Sequence, residues 1–226
     1  MSRRLERLTL DNLADLPVGC RSCTFWELDP VRRDRASRTE QGTDEKESWV
    51  SSVLLEWGSC GRVAYVDGEP AGYVLYAPPT FVPGADSFPT APVSEDAVLL
   101  MTAMVYPEYA GAGLGRMLLQ AVAKDLLKRG GIRAIEAFGD VNAPREGFGG
   151  CVMPADFLLR VGFKTARPHF RFPRMRLDLS SVLTWREEVE YALEKLMGAV
   201  RPRQVRHRPV RPAAERGGLR GFGTPE

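Results

Sequence analysis

At 226 residues the chain can bury one full hydrophobic core, and 44% hydrophobic with 27% charged residues excludes a disordered or fibrous class and favours one soluble domain. No uncharged apolar run approaches the roughly 18 residues of a membrane span, and the opening Met1-Ser2-Arg3-Arg4-Leu5-Glu6-Arg7 is too charged for a secretion signal. The expectation is a cytoplasmic protein with no membrane partner. The net charge of +2 is unevenly spread, because seven arginines against Glu215 and Glu226 follow Ala199 and leave a mildly acidic body.

Residues 5–10 alternate apolar and polar as a strand does, and Asp11 and Asn12 can cap a short helix that Pro17 stops. From Thr43 to Glu56, Trp49, Val50, Val53 and Leu54 recur at helical spacing, with Asp44 as cap and Gly58 as stop. Arg62–Val66 and Gly72–Ala77 are β-rich runs around Asp67-Gly68-Glu69-Pro70, a hairpin signal. Residues 78–92 are crowded with proline and glycine and read as a loop, either a functional insertion or a mobile one. Ala97–Val105 is almost wholly apolar, as a strand covered on both faces is.

A glycine cluster follows, and then Leu114, Leu118, Leu119, Val122, Leu126 and Leu127 give a helix closed by Gly130-Gly131. Ile132–Phe138 is the next strand, so residues 97–138 form a β-α-β unit with neighbouring parallel strands. A Gly/Pro-rich segment over 139–154 precedes a short helix, Ala155–Val161, and residues 164–179 hold one or two strands. Leu183–Met197 predicts a last amphipathic helix. The tail beyond it combines Pro202, Pro209 and Pro212 with Gly217, Gly218, Gly221 and Gly223 and has no apolar period, so it reads as disordered. Its arginines also allow a salt-dependent arm for nucleic acid or an acidic partner.

Gly111-Ala112-Gly113-Leu114-Gly115-Arg116 stands between a buried strand and a helix. A helix N-terminus offers unpaired N–H groups and the positive end of the dipole, and glycine lets a pyrophosphate approach the backbone, so an anion site is expected. Tight packing alone is the other use of such a turn. No Gly-Lys-Ser/Thr completes a Walker loop. A dinucleotide fold places this loop after its first strand with an acidic residue about twenty positions later, a distance that Glu136 approaches.

The stretch Val105-Tyr106-Pro107-Glu108-Tyr109-Ala110-Gly111-Ala112-Gly113-Leu114-Gly115-Arg116-Met117-Leu118-Leu119 resembles the signature of the GNAT acetyltransferase family, and Ala155–Phe163 resembles its later helix ending in Gly-Phe. The resemblance spans roughly residues 3–179. It implies a mixed α/β fold, a central mixed sheet of six to seven strands flanked by helices in the order β-α-α-β-β-β-α-β-α-β. The domains are then 1–180, an amphipathic helix over 181–198 on or near it, and the basic tail 199–226. It also implies acetyl-CoA as acyl donor and an amine of a small molecule or protein as acceptor, with no metal. Ala103, Met104 and Val105 would offer backbone groups to the pantetheine arm, and Gly111, Ala112, Gly113, Leu114, Gly115 and Arg116 would hold the pyrophosphate. Ala110 departs from the family's Arg or Gln, for which Arg116 can compensate. A homodimer stays open.

Transfer from a thioester needs a base, an oxyanion contact and an acid for the leaving thiolate. The family's tyrosine acid aligns with Leu159 and its asparagine with Val152, so both are missing. Asn142 and Cys151 are the candidates to replace them, against the plain reading of Cys151 as a small packed hydrophobe. Glu95 and Asp96 precede the central strand where a base can stand, or are simply solvated charges. Tyr106 and His169 are further candidates. Cys20-Arg21-Ser22-Cys23 falls where similar proteins shape the acceptor pocket. With Cys60 and Cys151 it admits a zinc site, a redox switch or plain burial, and Cys20, Cys23 and Cys151 together admit a thiol-rich pocket. An acyl-CoA-binding domain without turnover is the rival to an enzyme.

Overall fold

The computed structural model describes residues 2–143 and 150–182. The helix expected over 181–198 lies outside the described residues apart from Ser181 and Val182, and so does the whole basic tail. The chain starts with β1 (Arg3–Arg7) and a 3-10 turn at Leu13–Asp15, then runs through helices α1 (Val18–Arg21), α2 (Pro30–Arg38) and α3 (Gly42–Glu56). The hairpin β2 (Gly61–Val66) and β3 (Glu69–Ala77) turns at Asp67 and Gly68, whose φ of 51° and 94° are those of a two-residue turn matched to strand twist. There follow β4 (Ala97–Val105), α4 (Leu114–Arg129), β5 (Ala134–Asp140), the two-residue β6 (Met153–Pro154), α5 (Ala155–Arg160), β7 (Lys164–Arg167) and β8 (Arg174–Asp178).

These strands form one eight-stranded sheet in the order β1-β2-β3-β4-β5-β8-β7, with β6 on the side of β5. The expected mixed α/β architecture is therefore present, with β6 and a second C-terminal strand beyond the lower strand count. Only β4–β5 and β5–β6 are parallel, and the crossover helix α4 joins the first of these pairs.

The unbroken apolar reading of β4 follows from its cover. Leu99 and Met101 enter the core that holds Trp26, Trp49 and Val53, while Val98 and Leu100 enter the core that holds Leu118, Val122 and Leu126 of α4. Apolar residues on both faces remove the alternation that a half-exposed strand shows.

α2 left no apolar period to read, because Ala36 is its one buried residue. Its signal was its cap. The Asp29 carboxylate accepts from the N–H groups of Val31 and Arg32 at 2.9 and 3.0 Å, with Pro30 as first helical residue. Asp44 is not the cap of α3. Gln41 holds that position without a side-chain bond, and Asp44 lies in the first turn, where the dipole favours a carboxylate.

The loop over 78–92 is packed rather than loose. Trp49 donates its indole N–H to the Phe81 carbonyl at 2.7 Å, and Phe88 stacks near-parallel against both Trp26 and Phe138, with centroids 5.2 and 4.4 Å away. The loop thus buttresses the segment that carries Cys23.

Candidate active site

β4 pairs with β3 as far as Val105, but with β5 only from Ala97 to Leu99. The far end of β5, Gly139–Asp140, pairs instead with Met153–Pro154. The two central strands therefore diverge, and the edge of β4 that carries Ala103, Met104 and Val105 has no ladder partner on that side among the described residues. At the open end of the split the chain turns through Pro107–Tyr109 into Gly111, Gly113 and α4.

A cavity of about 810 Å³ lies there, lined by Met104, Val105, Tyr109, Ala110, Gly111, Gly113, Leu114, Gly115, Arg116, Phe157, Arg160 and Val161. Gly113 caps α4 with φ 77°, a left-handed conformation that costs other residues roughly 1–2 kcal/mol, and no side chain caps the helix. The Leu114 and Gly115 amides open the first turn, the end of a helix that favours an anion. A Cβ on Gly115 would lie 3.4 Å from the Phe157 ring, so a larger residue there would push on the groove wall. Arg3 ties the loop to β1 by donating to the Ala112 carbonyl at 2.9 Å.

Sequence reasoning missed Phe157 and Arg160. With Val161, the C-cap of α5, they sit at i, i+3 and i+4, and that spacing was the available signal for a common face. Arg160 supplies a cation to the cavity whose loop carries Ala110 where the resemblance expects Arg or Gln. Leu159, aligned with the family's acid, is 52% exposed and turned away from the groove.

Past Met104 a second cavity of about 290 Å³ fills the split, lined among others by Cys20, Cys23, Trp26, Lys46, Tyr73, Thr102, Met104, Cys151 and Met153. A third, of about 460 Å³, lies beyond and takes Cys23 and Cys151 as lining together with Thr24, Phe25, Arg33, Ala36 and Glu40. Met104 is common to the first two cavities, and the two cysteines are common to the last two. The Sγ atoms of Cys23 and Cys151 are 3.2 Å apart. Trp26 holds the Cys151 carbonyl with its indole N–H at 2.9 Å, and Lys46 and Glu27 form an ion pair buried beneath.

The hydrogen bond with Cys151 lowers the Cys23 pKa to about 6 against the opposing effect of burial, with help from the Phe25 N–H and the Lys46 charge. The Cys151 pKa is raised, first by that same bond and then by burial. Burial pushes Cys60 up to about 12 inside the core, where it lines neither of the cavities that the thiol pair shares. A zinc site built on Cys20, Cys23, Cys60 and Cys151 has no geometric basis here. No group of three or more ligating side chains gathers among the described residues.

The remaining expected residues are spread out. Tyr106 is half-buried and donates its hydroxyl to the Asp15 carbonyl at 2.8 Å, and its pKa is pushed up to about 12, chiefly by burial. Asn142 is exposed in the turn after β5, its N–H held by Asp140 at 2.9 Å. Glu95 and Asp96 stand at the other end of β4 from the glycine loop. There the Arg176 guanidinium bonds both Asp96 carboxylate oxygens at 2.9 Å and holds its pKa down. The structure does not bring these carboxylates to the cavities. His169 accepts from the Arg171 and Phe172 N–H groups and shapes the β7–β8 turn. Glu136 is fully buried, bound to Ser94 and paired with Arg174 and Arg176, and the glycine loop follows the fourth strand rather than the first. Both facts remove the dinucleotide alternative.

The family model for the Acetyltransferase (GNAT) family matches residues 24–148. The chain belongs to the GNAT acetyltransferase family. Among solved GNAT structures it is similar to the PaiA N-acetyltransferase of Thermoplasma acidophilum, determined in complex with coenzyme A. The two share 16% identity, 79% of this chain covers 99% of that one, and the TM-score is 0.51. An N-acetyltransferase of Staphylococcus aureus gives 15% identity, the same coverage of 79% and 99%, and the same TM-score of 0.51. These likenesses bear on the GNAT fold. No curated protein matches the sequence.

Proposed function

We propose that this GNAT protein is an N-acyltransferase that moves an acetyl or short acyl group from acyl-CoA to an amine of a small molecule or a protein. The observation that carries the reading is the split between β4 and β5. It links an uncapped helix N-terminus at one end to a thiol-lined cavity at the other. Pyrophosphate is held by the backbone from Gly111 to Arg116, with Arg160 as added cation, and the pantetheine arm lies along Ala103, Met104 and Val105. The thioester is then delivered past Met104 into the cavity with Cys151. Cys151, which carries a proton beside the proposed thioester position, is the donor for the leaving CoA thiolate, the role that Leu159 does not fill. Tyr106, Asn142, Glu95 and Asp96 have no part in this arrangement.

No helix among the described residues is long and apolar enough to cross a membrane, and four unpaired cysteines suit a reducing cytoplasm. One observation favours a second reading, acyl-CoA binding without turnover: Leu159 and Val152 replace both expected polar groups of the family.

Titration calorimetry with acetyl-CoA tests the first claim. Micromolar binding is expected, lost in Gly113→Asp and Gly115→Asp, which put a carboxylate at the phosphate end of α4. An acceptor screen read by thiol release separates turnover from binding. Absence of binding by folded wild-type protein would remove both readings.

A further inference from the structure

Cys23 and Cys151 are separated by 128 residues, yet their sulfurs are 3.2 Å apart on the wall shared by the inner and outer cavities. One of the two thiols donates to the other. The Phe25 N–H donates to the Cys23 sulfur, so with Cys151 as the S–H donor Cys23 has two donors aimed at it. Around the pair stand Lys46 from α3, Glu27, Cys20 from α1 and Tyr73 from β3. An acceptor entering from the outer cavity therefore meets this thiol pair before it reaches the thioester position. A nucleophile exposed to both cavities can take a group on one side and release it on the other.

We propose that Cys23 accepts the acyl group from acyl-CoA to form an S-acyl-cysteine, which the acceptor amine then attacks from the outer cavity. The inference rests on the acyltransferase reading and deepens it by making transfer two-step. In the first step the Cys23 thiolate bonds to the thioester carbonyl carbon, and collapse of the tetrahedral adduct breaks the C–S bond to CoA. Acylation removes the Cys23 thiolate whose hydrogen bond held the Cys151 pKa up, and the CoA thiolate takes the Cys151 proton and leaves as the thiol. In the second step the neutral amine bonds to the same carbonyl carbon, the bond to the Cys23 sulfur breaks, and the amine proton passes to the Cys151 thiolate. The thiolate–thiol pair is restored, and no oxidant or metal enters the balance. Ionisation of Cys23 near neutral pH agrees with the role, whereas Cys60, deep in the core, has neither the access nor the ionisation.

The experiment mixes wild-type protein with acetyl-CoA and no acceptor under reducing conditions, quenches rapidly in acid, and measures intact mass and released CoA thiol. Expected is one acetyl group per chain with an equivalent burst of thiol, a thioester cleaved by hydroxylamine, and its mapping to Cys23 in the peptides. Cys23→Ser should lose adduct and burst while still binding acetyl-CoA, and Cys151→Ser should keep the adduct but slow the burst. Mapping on wild-type protein makes the assignment independent of whether either variant folds. If wild-type protein binds acetyl-CoA without forming the adduct, or the acetyl group maps elsewhere, the Cys23 step is wrong and the acyltransferase reading stands. If folded wild-type protein does not bind acetyl-CoA, both fall.

Discussion

The groove proposed for the cofactor takes most of its lining from one continuous stretch, Met104 to Arg116, closed by Phe157 and Arg160 of α5 and by Val161 just after it. The inner cavity instead draws scattered side chains from α1, α3, β3, β4 and the segment before β6. The first presents chiefly backbone to a ligand: helix amides, a left-handed glycine and a strand edge without a ladder partner among the described residues. The second presents side chains, two thiols and a buried ion pair, beside stacked aromatic rings. A backbone site tolerates side-chain change wherever φ, ψ and space are kept. A side-chain site depends on the packing of everything around it.

The largest expected effect tests that dependence. Trp26→Ala deletes the ring stacked on Phe88 and the indole bond to the Cys151 carbonyl, and large-to-small changes of this kind cost about 4 kcal/mol. Urea unfolding should show that loss, while acetyl-CoA affinity of the folded fraction stays near wild type. An equal collapse of cofactor affinity would erase the contrast between the two regions.

The next effect concerns charge within the thiol pair. Cys23 is depressed to about 6, and the thiolate is the reactive form, so alkylation by iodoacetamide should rise through pH 6 and level off above it. At neutral pH its thiolate fraction is about thirtyfold that of an ordinary thiol titrating near 8.5, and the weaker nucleophilicity of the less basic thiolate brings the expected rate advantage down to roughly a few-fold. The groups that face it are Cys151, Lys46, Glu27, Cys20 and Tyr73. A midpoint near 8.5, measured by peptide mass spectrometry, would mean that Cys151 does not hold the thiolate.

Arg160→Ala sharpens the account of the groove from the other side. Removing one charge-assisted contact, worth about 1.5 kcal/mol, should weaken CoA binding roughly tenfold without moving the unfolding midpoint. The smallest effect is expected at the opposite end of β4. Asp96→Asn gives up the bond pattern to Arg176, yet it should leave the dissociation constant of acetyl-CoA unchanged in calorimetry. A clear loss there would reopen the carboxylates as part of the site.

The sequence by itself determined the parts of the protein whose physics is local. Asp67-Gly68 specified the hairpin, the nearly unbroken apolar run from Ala97 to Val105 specified a strand covered on both faces, and Gly111 to Gly115 specified a helix start suited to an anion. Each needs only neighbours a few residues away to be readable. Capping by Asp29-Pro30 was also local, but with a single buried residue behind it α2 had no period to announce it. Only the tertiary structure decided that Cys23 and Cys151 meet, that Arg160 joins the groove, that Phe88 braces Trp26, and that Asp96 and Glu136 serve an ion-pair network at the far end of the sheet. Those contacts join residues tens of positions apart, and the divergence of β4 from β5 decides which of them face the cavity, so no spacing along the chain encodes them.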